Sequence, residues 1–511
     1  MGKLILQLND DCLLEIFSYF DLLQITRLRF VCTRFNEVAE NAYRCCRILD
    51  CVELTKKRKM TGKKLEEIAS KVGKFVHTLK ISYSPQYSPR RYNNFASRYG
   101  VESSRYNPWY RDYSDEDEDQ YEFSYMFRKL KRSYKTYDNF SDKDISSTES
   151  EEESEEESEA QAQARFEAEA KAKVQKENEE KCRFIKIFEY CVSLKHLHTI
   201  GKVTEVFVEE TQKTFLRETI INLETLQMES AEVDSEIGIY ILAAEHLESL
   251  ILTSCYITGT WLAQLHNLKE LNVGGSDVIE LSSVFERFCR TNPTLQKLNV
   301  YKAEFFDNAL LGVATRCLKN LMHLNIGQDS YNYRYEPLLD LPNLTHLTIR
   351  YATTEVHTLL KALAAQNRLE YLNLSIKSSS SKRIQKALTA FETLKVLKIH
   401  YCRDMDDEFL QNLPKSSVLE EIYVPWTKVT DSGVNRLISK NSALRYIDVT
   451  NCSSISESLV HALKRHTHNP PLTIAAYGTN IRAGYKRSDL EIRVSNERFL
   501  YYKSGKQNYD Y

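Results

Sequence analysis

Residues 419–449 read LEEIYVPWTKVTDSGVNRLISKNSALRYIDV, and this stretch decides the fold. It opens and closes on one figure, Leu419, Ile422 and Val424 at the start and Leu444, Ile447 and Val449 at the end. The last two apolar residues of each figure stand two apart, so an extended strand turns both to one face and their neighbours to the other. Between the figures come a polar turn and then Val434, Leu437 and Ile438, which share one side of a helix. A unit this small cannot bury its apolar strip alone, so stacked copies are expected to close the core.

Working outward, the same triplet returns at Leu223/Leu226/Met228, Leu247/Leu250/Leu252, Leu268/Leu271/Val273, Leu295/Leu298/Val300, Leu321/Leu324/Ile326, Leu344/Leu347/Ile349, Leu369/Leu372/Leu374 and Leu394/Leu397/Ile399. The starts fall roughly 21 to 28 residues apart, the period of a leucine-rich repeat. The expected class is α/β: a right-handed leucine-rich-repeat solenoid, horseshoe-shaped, with a parallel sheet on its concave side and helices on its convex side. Cys255, Cys402 and Cys452 each follow the last strand apolar by three residues, and Thr430-Asp431-Ser432-Gly433 stands where a turn enters a helix. This resembles the cysteine-containing leucine-rich repeat typical of F-box proteins. The thiols are read as buried turn-fillers, with a metal site as the other reading.

Residues 8–42 read LNDDCLLEIFSYFDLLQITRLRFVCTRFNEVAENA. Asp10 or Asp11 is suited to cap a first helix and Asp21 a second, and three short helices are expected. The large apolar residues here, among them Leu13, Phe17, Ile25, Phe30 and Phe35, are too many for so short a segment to bury, so part of its surface must dock elsewhere. LLEIFSYF, DLLQITRLR and FVCTRF, in that order, resemble the helical core of an F-box. That resemblance implies a substrate receptor of an SCF (Skp-cullin-F-box) ubiquitin ligase, itself without catalysis. The Skp-family adaptor would bind Leu8, Asn9, Leu14, Ile16, Phe20, Val31 and Cys32 and bring cullin and RING subunits with it, and the repeats would hold a client for ubiquitin-dependent proteolysis. The usual Leu-Pro of the family is Leu8-Asn9 here, which implies weaker docking because a residue that presets the helix entry is gone. A helical cap on the first repeat, and a ligase-independent scaffold with a degenerate F-box, are the rival readings.

The segments then divide as 1–48, the F-box-like domain; 49–83, a linker helix and first repeat strand (Val76/Leu79/Ile81); 84–181, a disordered insertion, rich in Tyr and Ser and then in Glu; 182–478, the repeats; and 479–511, a tail whose alternating Leu490, Ile492 and Val494 read as a capping hairpin with part of RFLYY. Ser114, Ser141, Thr148, Ser150 and Ser154 each precede an acid by three residues, which suits acid-directed phosphorylation. The eight glutamates between Glu149 and Glu159 are a tethered competitor for any basic face. EAEAKAKVQKENEEK, with its strong helix formers, is expected to lengthen the helix that resumes the repeats.

On the concave side, strand alternation exposes Lys297, Asn299, Tyr301, His323, Asn325, His346, Thr348, Arg350, Tyr371, Asn373, Lys398 and His400, a column without a carboxylate. It turns acidic farther on, at Glu421, Tyr423, Tyr446 and Asp448. Lys297, Tyr301, His323, His346, Arg350, Tyr371, Lys398 and His400 are the candidate client contacts, suited to an acidic or phosphorylated segment. A generic solvated face is the alternative.

The chain has 511 residues and a formal charge of −2, and without the glutamate run it is only mildly basic, far from a nucleic-acid binder. No long apolar run suggests a membrane span, and no leader with a cleavage site is recognisable. Twelve scattered cysteines without paired spacing fit reduced thiols, hence a cytoplasmic or nuclear protein. Lys56-Lys57-Arg58-Lys59 reads either as a nuclear signal or as a solvated linker. His461, His466 and His468 lack partners for zinc, and no nucleophile elbow, P-loop lysine or HExxH occurs, so neither cofactor nor catalytic residue is expected.

Overall fold

The computed structural model describes residues 8–20, 22–58, 60–83, 159–207, 209–328, 333–353, 355–376, 382–415 and 418–494. Asp21, Lys59, the stretch 84–158 with its five phosphorylation candidates and nearly all of the acidic run, and the tail beyond Val494 lie outside the described residues.

The N-terminal segment forms three helices, α1 (Asp10–Ser18), α2 (Leu22–Leu28) and α3 (Thr33–Tyr43). Asn9, rather than Asp10 or Asp11, caps α1: its side chain accepts from the Cys12 N–H at 2.9 Å, on a backbone with φ −71°. That angle is close to the one proline imposes, so the departure from Leu-Pro leaves the helix entry intact. The two aspartates sit in the first turn, where the helix dipole favours them. Leu13, Phe17, Phe35, Val38 and Tyr43 fill the small core, with the Phe17 and Phe35 rings edge to face at 5.4 Å.

The segment 49–83, expected to hold a linker helix and the first repeat strand, holds more. A short strand, Ile48–Asp50, is followed by α4 (Cys51–Arg58) and α5 (Gly62–Val72), and the strand pairs in parallel with Thr78–Tyr83. The sheet thus starts before the first legible triplet, because Ile-Leu-Asp is too short to show an alternation. Among the described residues sixteen strands form one sheet, laid side by side in chain order except for the last two. Every pairing is parallel until the terminal hairpin. Leu298, Leu324, Leu347, Leu372, Leu397, Ile422, Ile447 and Ile474 stand in register across successive strands, all buried. Each such side chain contributes roughly 1.5–3 kcal/mol on burial.

The expected disordered insertion is too long at its far end. A helix, α6, runs from Glu159 to Tyr190, so residues 159–181 are helical. Its Ala-, Glu- and Lys-rich composition favours that state, helped by ion pairs one turn apart, Lys181–Glu177 at 3.3 Å and Arg183–Glu179 at 3.1 Å. Its last turns seat Phe184, Ile187 and Phe188 in the core.

At the C-terminus a hairpin does close the sheet, with a different partner from the one expected. Leu490–Arg493 pairs in parallel with Leu472–Ala475 and antiparallel with Tyr485–Arg487. RFLYY lies outside the described residues.

The helix entries are tied to one another. Asp407 accepts from the Thr430 N–H at 2.8 Å and hydroxyl at 2.6 Å, and Asp431 repeats both bonds to Ser456 at 2.9 and 2.6 Å. Glu457 in turn accepts from the Arg482 N–H at 2.7 Å. Thr430-Asp431-Ser432-Gly433 is therefore a joint between repeats: Thr430 caps its own helix, and Asp431 holds the cap of the next.

Candidate functional site

Two surfaces concern docking. On the N-terminal segment Leu8, Leu14, Ile16 and Cys32 are half-buried and pack against the core, and the Cys32 sulfur caps α3 by accepting from the Phe35 N–H. Asn9, Phe20 and Val31 face solvent. The largest exposed apolar side chains here are Phe30, 86% exposed, and Tyr19, 81% exposed, neither of which stood among the expected adaptor contacts. The signal was present in the sequence: both flank the apolar runs at helix ends, where no later turn covers them.

The second surface is the open face of the sheet. Lys297, His323, His346, Arg350, Tyr371, Lys398 and His400 are all half-buried on adjacent strands, whereas Tyr301 is buried. Asn299, Asn325 and Asp448, expected on the face, are buried as well. Asn299 Oδ1 accepts from the Tyr301 N–H at 3.0 Å and Asp448 Oδ1 from the Thr450 N–H at 2.8 Å, so these side chains fold back to close the turn after the strand. The acid expected from Asp448 is thus spent on the backbone, and of the two acids expected at that end Glu421 remains on the face.

The side chains stack across the strands. The His323 and His346 rings lie 3.9 Å apart, and His346 and Tyr371 5.5 Å apart. Lys398 Nζ then sits between two rings, 5.3 Å from Tyr371 and 4.6 Å from Tyr423, and Tyr423 stacks at 5.0 Å on Tyr446. Arg350 lies 4.6 Å over the Tyr301 ring. Parallel register aligns His323, His346 and Tyr371, and likewise Lys398 with Tyr423, at one strand spacing, whereas Tyr371–Lys398 and Tyr423–Tyr446 are diagonal contacts two residues out of register.

The electrostatics differ from the expected basic column. Burial, with His346 and Lys297 nearby, holds His323 down to about 4. His400 is likewise held down to about 4 by burial and by Arg350 and Lys398, and burial lowers His346. The histidines are therefore neutral rings at neutral pH. Lys297 faces Glu270 of the neighbouring strand at 3.8 Å, so the column does meet a carboxylate. Its cationic centre is Arg350 with Lys398.

The repeat cysteines are fillers of the turn. Cys255 Sγ donates to the Met228 and Thr253 carbonyls, both at 3.4 Å, and Cys452 Sγ to the Val424 carbonyl at 3.3 Å. Burial pushes the Cys255 thiol up to about 11, which opposes the thiolate a metal requires. Among the described residues no three His, Cys, Asp or Glu side chains gather as metal ligands, and no helix is long and apolar enough to cross a membrane. His468 is engaged by its backbone, donating to Asp489 at 2.8 Å.

The described residues define an α/β strand–helix repeat protein with an N-terminal three-helix segment. Residues 5–47 match the family model of the F-box domain. No curated protein matches the chain. Among solved structures the chain is similar to one from the Rad7 and Elc1 complex in yeast, at 16% identity and a TM-score of 0.43 over 56% of this chain and 79% of that one. It is also similar to an internalin of Listeria monocytogenes, at 18% identity and a TM-score of 0.33 over 52% of this chain and 84% of that one. A second internalin of the same organism gives 19% identity and a TM-score of 0.26, over 45% and 82%.

Proposed function

We propose that the chain is the substrate-recognition subunit of an SCF-type ubiquitin ligase, cytoplasmic or nuclear, built on leucine-rich repeats of the cysteine-containing type. The carrying observation is the exposure of Tyr19, Phe20, Phe30 and Val31 on a segment that matches the F-box domain. Four large exposed side chains on so small a unit call for a permanent cover, and a Skp-family adaptor is the cover this segment fits. Cullin and RING subunits follow through the adaptor. The open face of the sheet then holds the client, an acidic or phosphorylated protein, and the contribution to ubiquitin transfer is position rather than chemistry. The rival scaffold reading drew on Asn9, and Asn9 caps α1.

Co-purification of the full chain with the Skp adaptor tests this. Wild type is expected to bind, and Phe30→Glu, at an exposed position that does not disturb the core, is expected to weaken binding at least about tenfold. An adaptor that fails to bind wild type, or binds Phe30→Glu equally, overturns the reading.

A further inference from the structure

At or just beyond the end of several strands among the described residues the chain turns a corner in the left-handed region of backbone space. The corner N–H reaches the next repeat: Lys302 donates to the Gly327 carbonyl at 2.9 Å, Trp426 to Thr450 at 2.9 Å and Asn451 to Tyr477 at 2.7 Å. At a positive φ glycine, and less often asparagine, is the least strained residue. Gly275, Gly478 and Asn451 stand at such corners. In the repeats flanking Lys398 the corners are instead Tyr351 (φ +57°), Tyr401 (φ +63°) and Trp426 (φ +61°). A bulge lies at the first of these, with Arg350 and Tyr351 opposite Ser375 between the pairs Ile349–Leu374 and Ala352–Ile376.

Bulky side chains in this region cost roughly 1–2 kcal/mol each. Tyr401 and Trp426 recover little of that by burial, being 62% and 45% exposed. They occupy equivalent places on neighbouring strands, each three residues beyond the paired Lys398 and Tyr423, and so leave two large rings exposed at the end of the strands that carry that pair. Lys398 is wedged between Tyr371 and Tyr423 and has no carboxylate partner among the described residues. Two strands away Arg350 adds a second cation over Tyr301.

We propose that the corner rings and these cations together grip an extended acidic polypeptide segment that carries an aromatic side chain next to its acidic groups. The acid sits against Lys398 and Arg350, and the aromatic side chain stacks on Tyr401 and Trp426. This rests on the receptor reading above and names the chemistry its client must show. Single-stranded nucleic acid also stacks on rings, but it needs a track of cations along its backbone, and Glu270 and Glu421 interrupt any such track here.

The test uses the full chain and three fluorescent probes: a random copolymer of glutamate and tyrosine, polyglutamate, and oligothymidylate, with affinity read by anisotropy. The copolymer should bind about tenfold or more tightly than polyglutamate. Trp426→Asn should remove that preference while leaving polyglutamate binding and the Tm at or above wild type, since asparagine relieves the corner. Lys398→Glu should abolish binding of both polypeptides. Equal binding of the copolymer and polyglutamate, a copolymer preference that survives Trp426→Asn, or tighter binding of oligothymidylate overturns the proposal. Adaptor co-purification measured on the same samples separates the two readings: loss of adaptor binding with the peptide preference intact sinks the ligase assignment alone, and the reverse result sinks this one alone.

Discussion

At the scale of single residues, environment rather than identity sets the charge of the open face. Histidines at positions 323, 346 and 400 were legible as face residues from the two-residue period, but their protonation was not, because it follows from burial among rings that the sequence does not bring together. His323 is held at about 4, against 6.5 for a free side chain. Between those values the unfolded chain binds more protons than the folded one, so stability rises with pH through the window and is lost as acid is added. His400, also held at about 4, acts in the same sense. Thermal melts from about pH 7 down to about pH 4.5 should therefore show a falling Tm, with a shallower fall in His323→Phe, which keeps a stacking ring without a titrating group. An identical pH profile in the variant would exclude His323 as a source. Tyr401 and Trp426 were missed for a related reason: alternation reads a strand but stops at its end, and only the cysteine that follows Tyr401 marks the corner.

At the scale of elements, the helix entries show how far a local motif can be read. Thr430-Asp431-Ser432-Gly433 was recognisable as a helix start, whereas the bonds from Asp407 to Thr430 and from Asp431 to Ser456 span separate repeats and needed the stacking to appear. The glycine follows from them. A Cβ on Gly433 would stand 2.1 Å from Asp407 Oδ1, so Gly433→Ala must displace the carboxylate that holds Thr430. The expected loss is about 1–3 kcal/mol in urea unfolding, from overpacking and the broken bonds. A variant as stable as wild type would mean that Asp407 moves aside freely. The N-terminal segment was legible as three helices resembling an F-box. Its cap was not, since three adjacent polar residues, Asn9, Asp10 and Asp11, are all able cappers and only the chain path chooses Asn9.

At the scale of the whole molecule, the ten sequence triplets located most of the sheet because each strand obeys the same burial demand. Its two ends were harder: Ile48–Asp50 is too short to alternate, and the terminal hairpin uses Tyr485–Arg487, whose residues carry no apolar period. The hairpin covers the last repeat strand, Leu472–Ala475, whose free edge would otherwise offer unpaired backbone groups. Ending the chain at residue 478 should accordingly lower the Tm and yield oligomers by light scattering. A monodisperse truncated chain with wild-type Tm would show that the edge needs no cover.

The carboxylates at the helix entries give the array a direction. Each repeat in the C-terminal part supplies an acid forward and receives one from behind, as a tongue meets a groove. Such a unit lifted out and spliced elsewhere would bring an acid with nothing to hold and a cap with nothing holding it. The repeats share a shape but are not interchangeable parts, and shuffling their order should fail where substituting their outward side chains succeeds.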